Sequence, residues 1–79
     1  MAAQLKELVA FVAQALVDEP EAVEVVEQGD DTAITLELQV AADDRGKVIG
    51  KKGRVAHTMR TLLNAAAQEG QSVSLEIVD

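Results

Sequence analysis

Between residues 3 and 17, Leu5, Leu8, Val9, Val12, Ala15 and Leu16 recur at steps of three and four, and Phe11 widens the stripe. That period predicts a helix with one apolar face, in which Phe11 falls at a core position. Asp18-Glu19-Pro20 ends the helix, because proline has no N–H to donate and restricts the residue before it. The period then changes to two. Val23 and Val25 alternate with Glu24 in the stretch Glu21 to Gln28, which predicts a short edge strand kept soluble by its glutamates. Gly29-Asp30-Asp31 is turn chemistry. From Thr32 to Val40 the alternation is cleanest: Ile34, Leu36, Leu38 and Val40 face one way, Thr35, Glu37 and Gln39 the other. These two strands are expected to form a hairpin.

A short helix is predicted over Asp44–Ile49, with Asp43 or Asp44 placed to cap it. Gly50 to Gly53 interrupts the pattern. Val55, Met59, Leu62, Leu63 and Ala66 then predict a longer helix from Arg54 to Glu69, closed by Gly70 in the manner of a C-terminal glycine cap. Val73, Leu75 and Ile77 alternate with Ser74 and Glu76 as a last strand. The order is helix, strand, strand, helix, helix, strand. The expectation is an α+β fold in which residues 1–79 form one domain, a three-stranded sheet packed on one face by three helices.

Charge changes the picture more than composition does. Six of the seven basic residues, Arg45, Lys47, Lys51, Lys52, Arg54 and Arg60, fall in one stretch of sixteen that contains no acid and so carries +6. The rest of the chain, one lysine against fourteen acids, sums to −13. A cationic island built around Gly50 and Gly53 on an anionic scaffold points to a phosphate-binding site, since salt screens the distant acids within about 8 Å at physiological ionic strength. There is no Trp or Tyr and only one Phe, which argues against a surface that holds bases by aromatic stacking. With no cysteine, there is no disulfide framework and no Cys-based zinc site. Neither a leader pattern nor an apolar run of about 18 residues stands out, so the expectation is a soluble cytoplasmic protein that makes no membrane contact.

The segment Gly46-Lys47-Val48-Ile49-Gly50-Lys51-Lys52-Gly53-Arg54 lies between the two later helices. Glycines at 50 and 53 can take positive φ and turn main-chain N–H groups outward at the start of a helix, where the dipole favours an anion. Lys51 and Lys52 add charge, and Arg54 can fork onto a second phosphate. His57 neighbours both Arg54 and Arg60 on the helix, at the groove edge. The spacing is not that of a Walker loop or a dinucleotide fingerprint. Two plainer readings stand beside this one: an interhelical turn, and a solvated basic face. His57 has no second His or Cys with which to hold a metal, and no nucleophile–base pair or spaced carboxylate pair suggests an enzyme, so neither cofactor nor catalysis is expected.

Val48-Ile49-Gly50-Lys51-Lys52-Gly53-Arg54 flanked by two helices resembles the signature of KH domains, whose GXXG loop clamps nucleotide backbone. The element order resembles the type II arrangement. With Asp44-x-Gly46-Lys47-Val48-Ile49-Gly50-Lys51 and Arg60-Thr61-Leu62-Leu63, the whole chain is similar to the KhpA group of small single-KH bacterial RNA-binding proteins. The resemblance implies that Gly50, Lys51, Lys52 and Gly53 contact RNA backbone. It implies that Lys47 and Arg54 flank the phosphates, and that Val48, Ile49, Val55 and Met59 supply an aliphatic groove floor. It implies single-stranded RNA as ligand, in post-transcriptional regulation or RNA chaperoning. It also implies a homodimer, or a heterodimer with a KhpB-like partner, as an alternative role. Ala56 departs from the bulkier aliphatic residue common there, and Gly70-Gln71-Ser72 is a short connection. Both predict weak, poorly selective binding by one copy.

Overall fold

The computed structural model describes residues 2–78, with side chains for residues 4–78. Helix α1 spans Ala2–Leu16 and buries Leu5, Val9 and Ala13 at four-residue steps. Two antiparallel strands follow, β1 (Glu24–Gly29) and β2 (Ala33–Gln39). Then come α2 (Arg45–Ile49), α3 (Arg54–Ala66) and β3 (Ser72–Val78). The sheet order is β1-β2-β3, with β3 parallel to β2. A parallel pair cannot be joined by a tight turn, so the crossover from β2 to β3 must carry α2, the Gly50–Gly53 loop and α3. Topology alone therefore places the loop away from the hairpin.

The core lies between one sheet face and the helices. Ile34, Leu36 and Leu38 of the central strand are at most 2% exposed, and Val9, Val48, Leu63 and Leu75 close over them. Each such side chain contributes about 1.5–3 kcal/mol when fully buried. The hairpin turn is held by Asp30, whose carboxylate accepts the N–H groups of Thr32 and Ala33 and the Thr32 hydroxyl. The backbone N–H of Thr32, then that of Ala33, hold its pKa below the usual aspartate value.

The element order, the hairpin and the edge position of β1 agree with the sequence expectation. Several boundaries do not. Residues Pro20–Ala22 form a single 3-10 turn, so β1 begins at Glu24 rather than Glu21. Helix α3 stops at Ala66, three residues before Glu69, because Ala67 turns to extended backbone and packs half-buried against the core. Gly70 is therefore no helix cap. Its positive φ serves the Gln68–Gln71 turn, where the Gln71 amide bonds Gln68 and also reaches the Asp31 carbonyl. Asp44 occupies the N-cap position of α2 but makes no capping bond. Phe11 is 72% exposed and not a core residue. Helix α1 buries Leu5, Val9 and Ala13, half-buries Leu8 and Val12 against the same core, and leaves Phe11, Ala15 and Leu16 exposed.

Candidate functional site

The two glycines do different things. Gly50 has φ 79° and ψ 170°, a combination open essentially to glycine alone. It also abuts the first turn of α3: a Cβ placed there would lie 2.8 Å from the Val55 amide nitrogen. Gly53 sits in the left-handed region (φ 73°, ψ 15°), with open space where a Cβ would be. Between them, Lys52 is the one non-glycine residue with positive φ among the described residues. The chain thus makes a tight 3-10 turn, Lys51–Gly53, set between α2 and α3.

Most main-chain donors in this turn are used internally. The Gly50 N–H donates to the Gly46 carbonyl, Gly53 N–H to Gly50, and Arg54 N–H to Lys51. The N–H groups of Lys51 and Lys52 donate to no protein acceptor among the described residues. Both lysine side chains, with those of Arg54 and His57, are exposed. The loop therefore combines two main-chain amides that have no protein acceptor among the described residues with two exposed ammonium groups, donors suited to an oxyanion.

The other expected residues are placed differently. Val48 is 0% exposed and belongs to the interior, so its side chain cannot touch a ligand. Ile49, beside it, is 40% exposed. Val55 and Met59 line an apolar cavity of about 260 Å³ with Val12, Leu16, Arg54, Thr58 and Leu62, between α1 and α3. Ala56 is buried and lines no part of it, so its small size does not set the cavity's depth. Arg60 donates through Nε and Nη2 to the Leu75 carbonyl at 3.3 and 3.2 Å, which ties α3 to β3. The Lys47 ammonium contacts the carboxylates of Asp18 and Asp44. The hydrogen bond to Asp18 is the main cause of its raised pKa. Burial pushes the Asp44 pKa up, yet the N–H groups of Asp18 and Glu19 and the Lys47 ammonium outweigh it, and the net shift is downward.

Among the described residues no group of His, Cys, Asp and Glu side chains is arranged to hold a metal ion, and no helix is long and apolar enough to cross a membrane. The sequence reading missed Asp18, because its partner lies 29 residues away, and it missed the cavity, because Val12 and Leu16 read as core.

Residues 6–77 match the family model described as KhpA/KhpB, KH domain. The chain is 53% identical over 73 residues to the RNA-binding protein KhpA of Caldanaerobacter subterraneus subsp. tengcongensis, covering 91% of this chain and 97% of that one. It is 49% identical over 75 residues to RNA-binding protein KhpA of Clostridium perfringens, covering 94% and 100%. To the protein of that name in Treponema pallidum it is 48% identical, with 94% of each chain covered. The three-stranded sheet and crossover helices are consistent with a single KH domain, the relatives are named RNA-binding proteins of a non-enzymatic kind, and the chain belongs to the KhpA/KhpB KH-domain family.

Proposed function

We propose that this chain is a non-enzymatic RNA-binding module. It clamps about four single-stranded nucleotides with the Gly50–Gly53 loop, as GXXG loops do. The observation that carries this reading is the pair of amides at Lys51 and Lys52 that have no protein acceptor among the described residues, together with the two exposed ammonium groups of the same residues. The similarity to proteins named as RNA-binding supports it. Arg54 and Ile49, exposed on either side of the loop, extend the contact to a further phosphate and to an aliphatic base edge. Binding of this kind fits a cytoplasmic role in post-transcriptional regulation or RNA chaperoning. Charge dominates its affinity. With Lys51, Lys52 and Arg54 each meeting one phosphate, log K against log salt falls with a slope of about −2, at roughly 0.7 per phosphate for single strands. Fluorescence anisotropy with a short single-stranded oligomer checks this. No signal at low ionic strength, or a flat salt dependence, would remove the reading.

A second reading, a protein-interaction module, is favoured by one specific feature. Leu16 and Leu62 are exposed at the 260 Å³ apolar cavity between α1 and α3, and Phe11 is 72% exposed elsewhere on α1. An exposed aromatic and an open apolar hollow on one molecule can both be covered by a second copy, so two chains related by a twofold axis can bury these side chains together. The same face is available to the KH domain of a KhpB-like partner. Dimerisation would set two weak loops on one RNA and supply avidity. Sedimentation of the wild type then gives a dimer at micromolar concentration, and Phe11→Asp gives a folded monomer. A wild type that sediments as a monomer throughout sinks this second role.

A further inference from the structure

We propose that Asp44 is a positioning residue for the Lys51–Gly53 turn and that Lys47 is its counter-ion, so that Lys47 belongs to the scaffold and touches no RNA phosphate. The proposal rests on the RNA-binding reading and refines which members of the basic island serve it.

Asp44 is 2% exposed, the one buried charged residue among the described residues. A buried carboxylate persists only when paired and hydrogen-bonded. Its compensation comes from two separate parts of the chain. Oδ2 accepts the Glu19 N–H at 3.1 Å, and Oδ1 lies 3.3 Å from the Lys47 ammonium. The Asp18 N–H also favours its charged form. Asp18 returns the contact by accepting from Lys47. The result is a closed clasp between the end of α1 and the start of α2.

That clasp matters for the loop because α2 is only five residues long. A single helical turn has no stability of its own, since nucleation costs more than one turn returns. Its placement comes from tertiary anchors. Val48, 0% exposed, is the apolar anchor on one side. Asp44, just before the first residue of α2, is the polar anchor on the other. The helix then runs directly into Gly50, so the direction of α2 sets where the free amides of Lys51 and Lys52 point.

Lys47 has little freedom to leave. To reach a phosphate it must abandon two carboxylates, one of them buried, and leave Asp44 short of a counter-charge while an anion approaches. Lys51 and Lys52, one turn on, have no such partner among the described residues. The chain thus divides its cations by partner: Lys47 is neutralised within the fold, and the loop lysines stay free.

The test compares Lys47→Met, Lys47→Arg, Asp44→Asn, Asp44→Ala and Lys51→Met at a temperature where each melts as fully folded. RNA affinity is measured against salt, and the loop amides are followed by NMR. Lys51→Met reduces the salt slope by about 0.7, the value for one lost phosphate. Lys47→Met leaves the slope unchanged yet weakens RNA at least about fivefold, the lower end of coupling between linked sites. Lys47→Arg restores it. Asp44→Asn and Asp44→Ala move the amide resonances of Lys51 and Lys52, a readout that a loss of global stability alone would not shift in a folded sample. A slope that falls as much for Lys47→Met as for Lys51→Met overturns the assignment of Lys47. Unmoved loop resonances in folded Asp44 variants overturn the clasp. Should neither Asp44 variant fold, the resonances of Lys47→Met decide the same point. Loss of the RNA reading shows separately, as a Lys51→Met variant that binds and titrates like wild type, and the resonances still judge the clasp.

Discussion

Changing Lys51 and Lys52 together to aspartate abolishes RNA binding in a chain that remains folded. Both side chains are exposed, and neither joins a hydrogen bond or ion pair among the described residues, so the fold loses nothing when they go. The backbone tolerates the change as well. Lys52 sits at φ 57°, ψ 27°, a left-handed conformation in which aspartate is enriched. Binding suffers twice, through loss of two charge-assisted contacts and through two new negative charges facing the phosphates. Charge-assisted hydrogen bonds contribute about 1.5–3 kcal/mol each. Losing two weakens binding by at least about a hundredfold at 1.4 kcal/mol per decade. Circular dichroism melting establishes the fold and anisotropy gives the affinity. A folded double variant with wild-type affinity would show that the loop is not the contact.

How much of this was legible in the chain depends on the range of each interaction. The alternation of Ile34, Leu36 and Leu38 and the recurrence of Leu5, Leu8, Val9, Val12 and Leu16 are local periodicities, and they gave the strands and helices in the right order. What failed was local pattern overridden by partners far along the chain. Phe11 matches a helical stripe, but only the tertiary arrangement decides that Leu5, Val9 and Ala13 are buried and Phe11 is left exposed. Helix α3 has helix-forming residues to Gln68, yet ends early because Ala67 is drawn against the core and Gln71 closes a turn on Gln68.

The candidate site shows the same division. The glycine spacing and the cluster of cations were visible because they lie within sixteen residues. Their partners were not. Lys47 and Arg60 carry the same charge as Lys51, and nothing nearby in the chain says that one meets Asp18 and the other the Leu75 carbonyl. Val48 and Ile49 are both branched aliphatics in the motif, but α2 turns one fully inward and leaves its neighbour 40% exposed. Composition thus overstated the number of free cations, and the fold selects among them.

Gly50→Ala destabilises the protein far more than Gly53→Ala does, although the two glycines look equivalent in the motif. At Gly53 the new methyl meets open space, and the cost is the left-handed backbone alone, roughly 1–2 kcal/mol. At Gly50 two penalties combine. The backbone combination of φ 79° and ψ 170° is strained for any residue with a Cβ by about 1–3 kcal/mol. The methyl also lands 2.5 Å from Val55 Cγ2 and 2.8 Å from the Val55 nitrogen. A side-chain methyl can rotate away, but that nitrogen is the backbone of the first turn of α3, so relief requires the loop and the helix to separate. Overpacking of this kind adds about 1–3 kcal/mol. The sum, about 2–6 kcal/mol, is a large part of the roughly 5–15 kcal/mol that holds a domain together. It lowers the melting temperature by about 10–50 °C at some 4–8 °C per kcal/mol for a chain of this size. Thermal melts of the two alanine variants separate the cases, and equal midpoints would mean that the loop is not seated on α3 through Gly50. The physical distinction is that Gly53 supplies a conformation that Asn can also adopt, whereas Gly50 supplies the absence of an atom. Any side chain at position 50 lifts the turn off Val55, and the amides of Lys51 and Lys52 move with it.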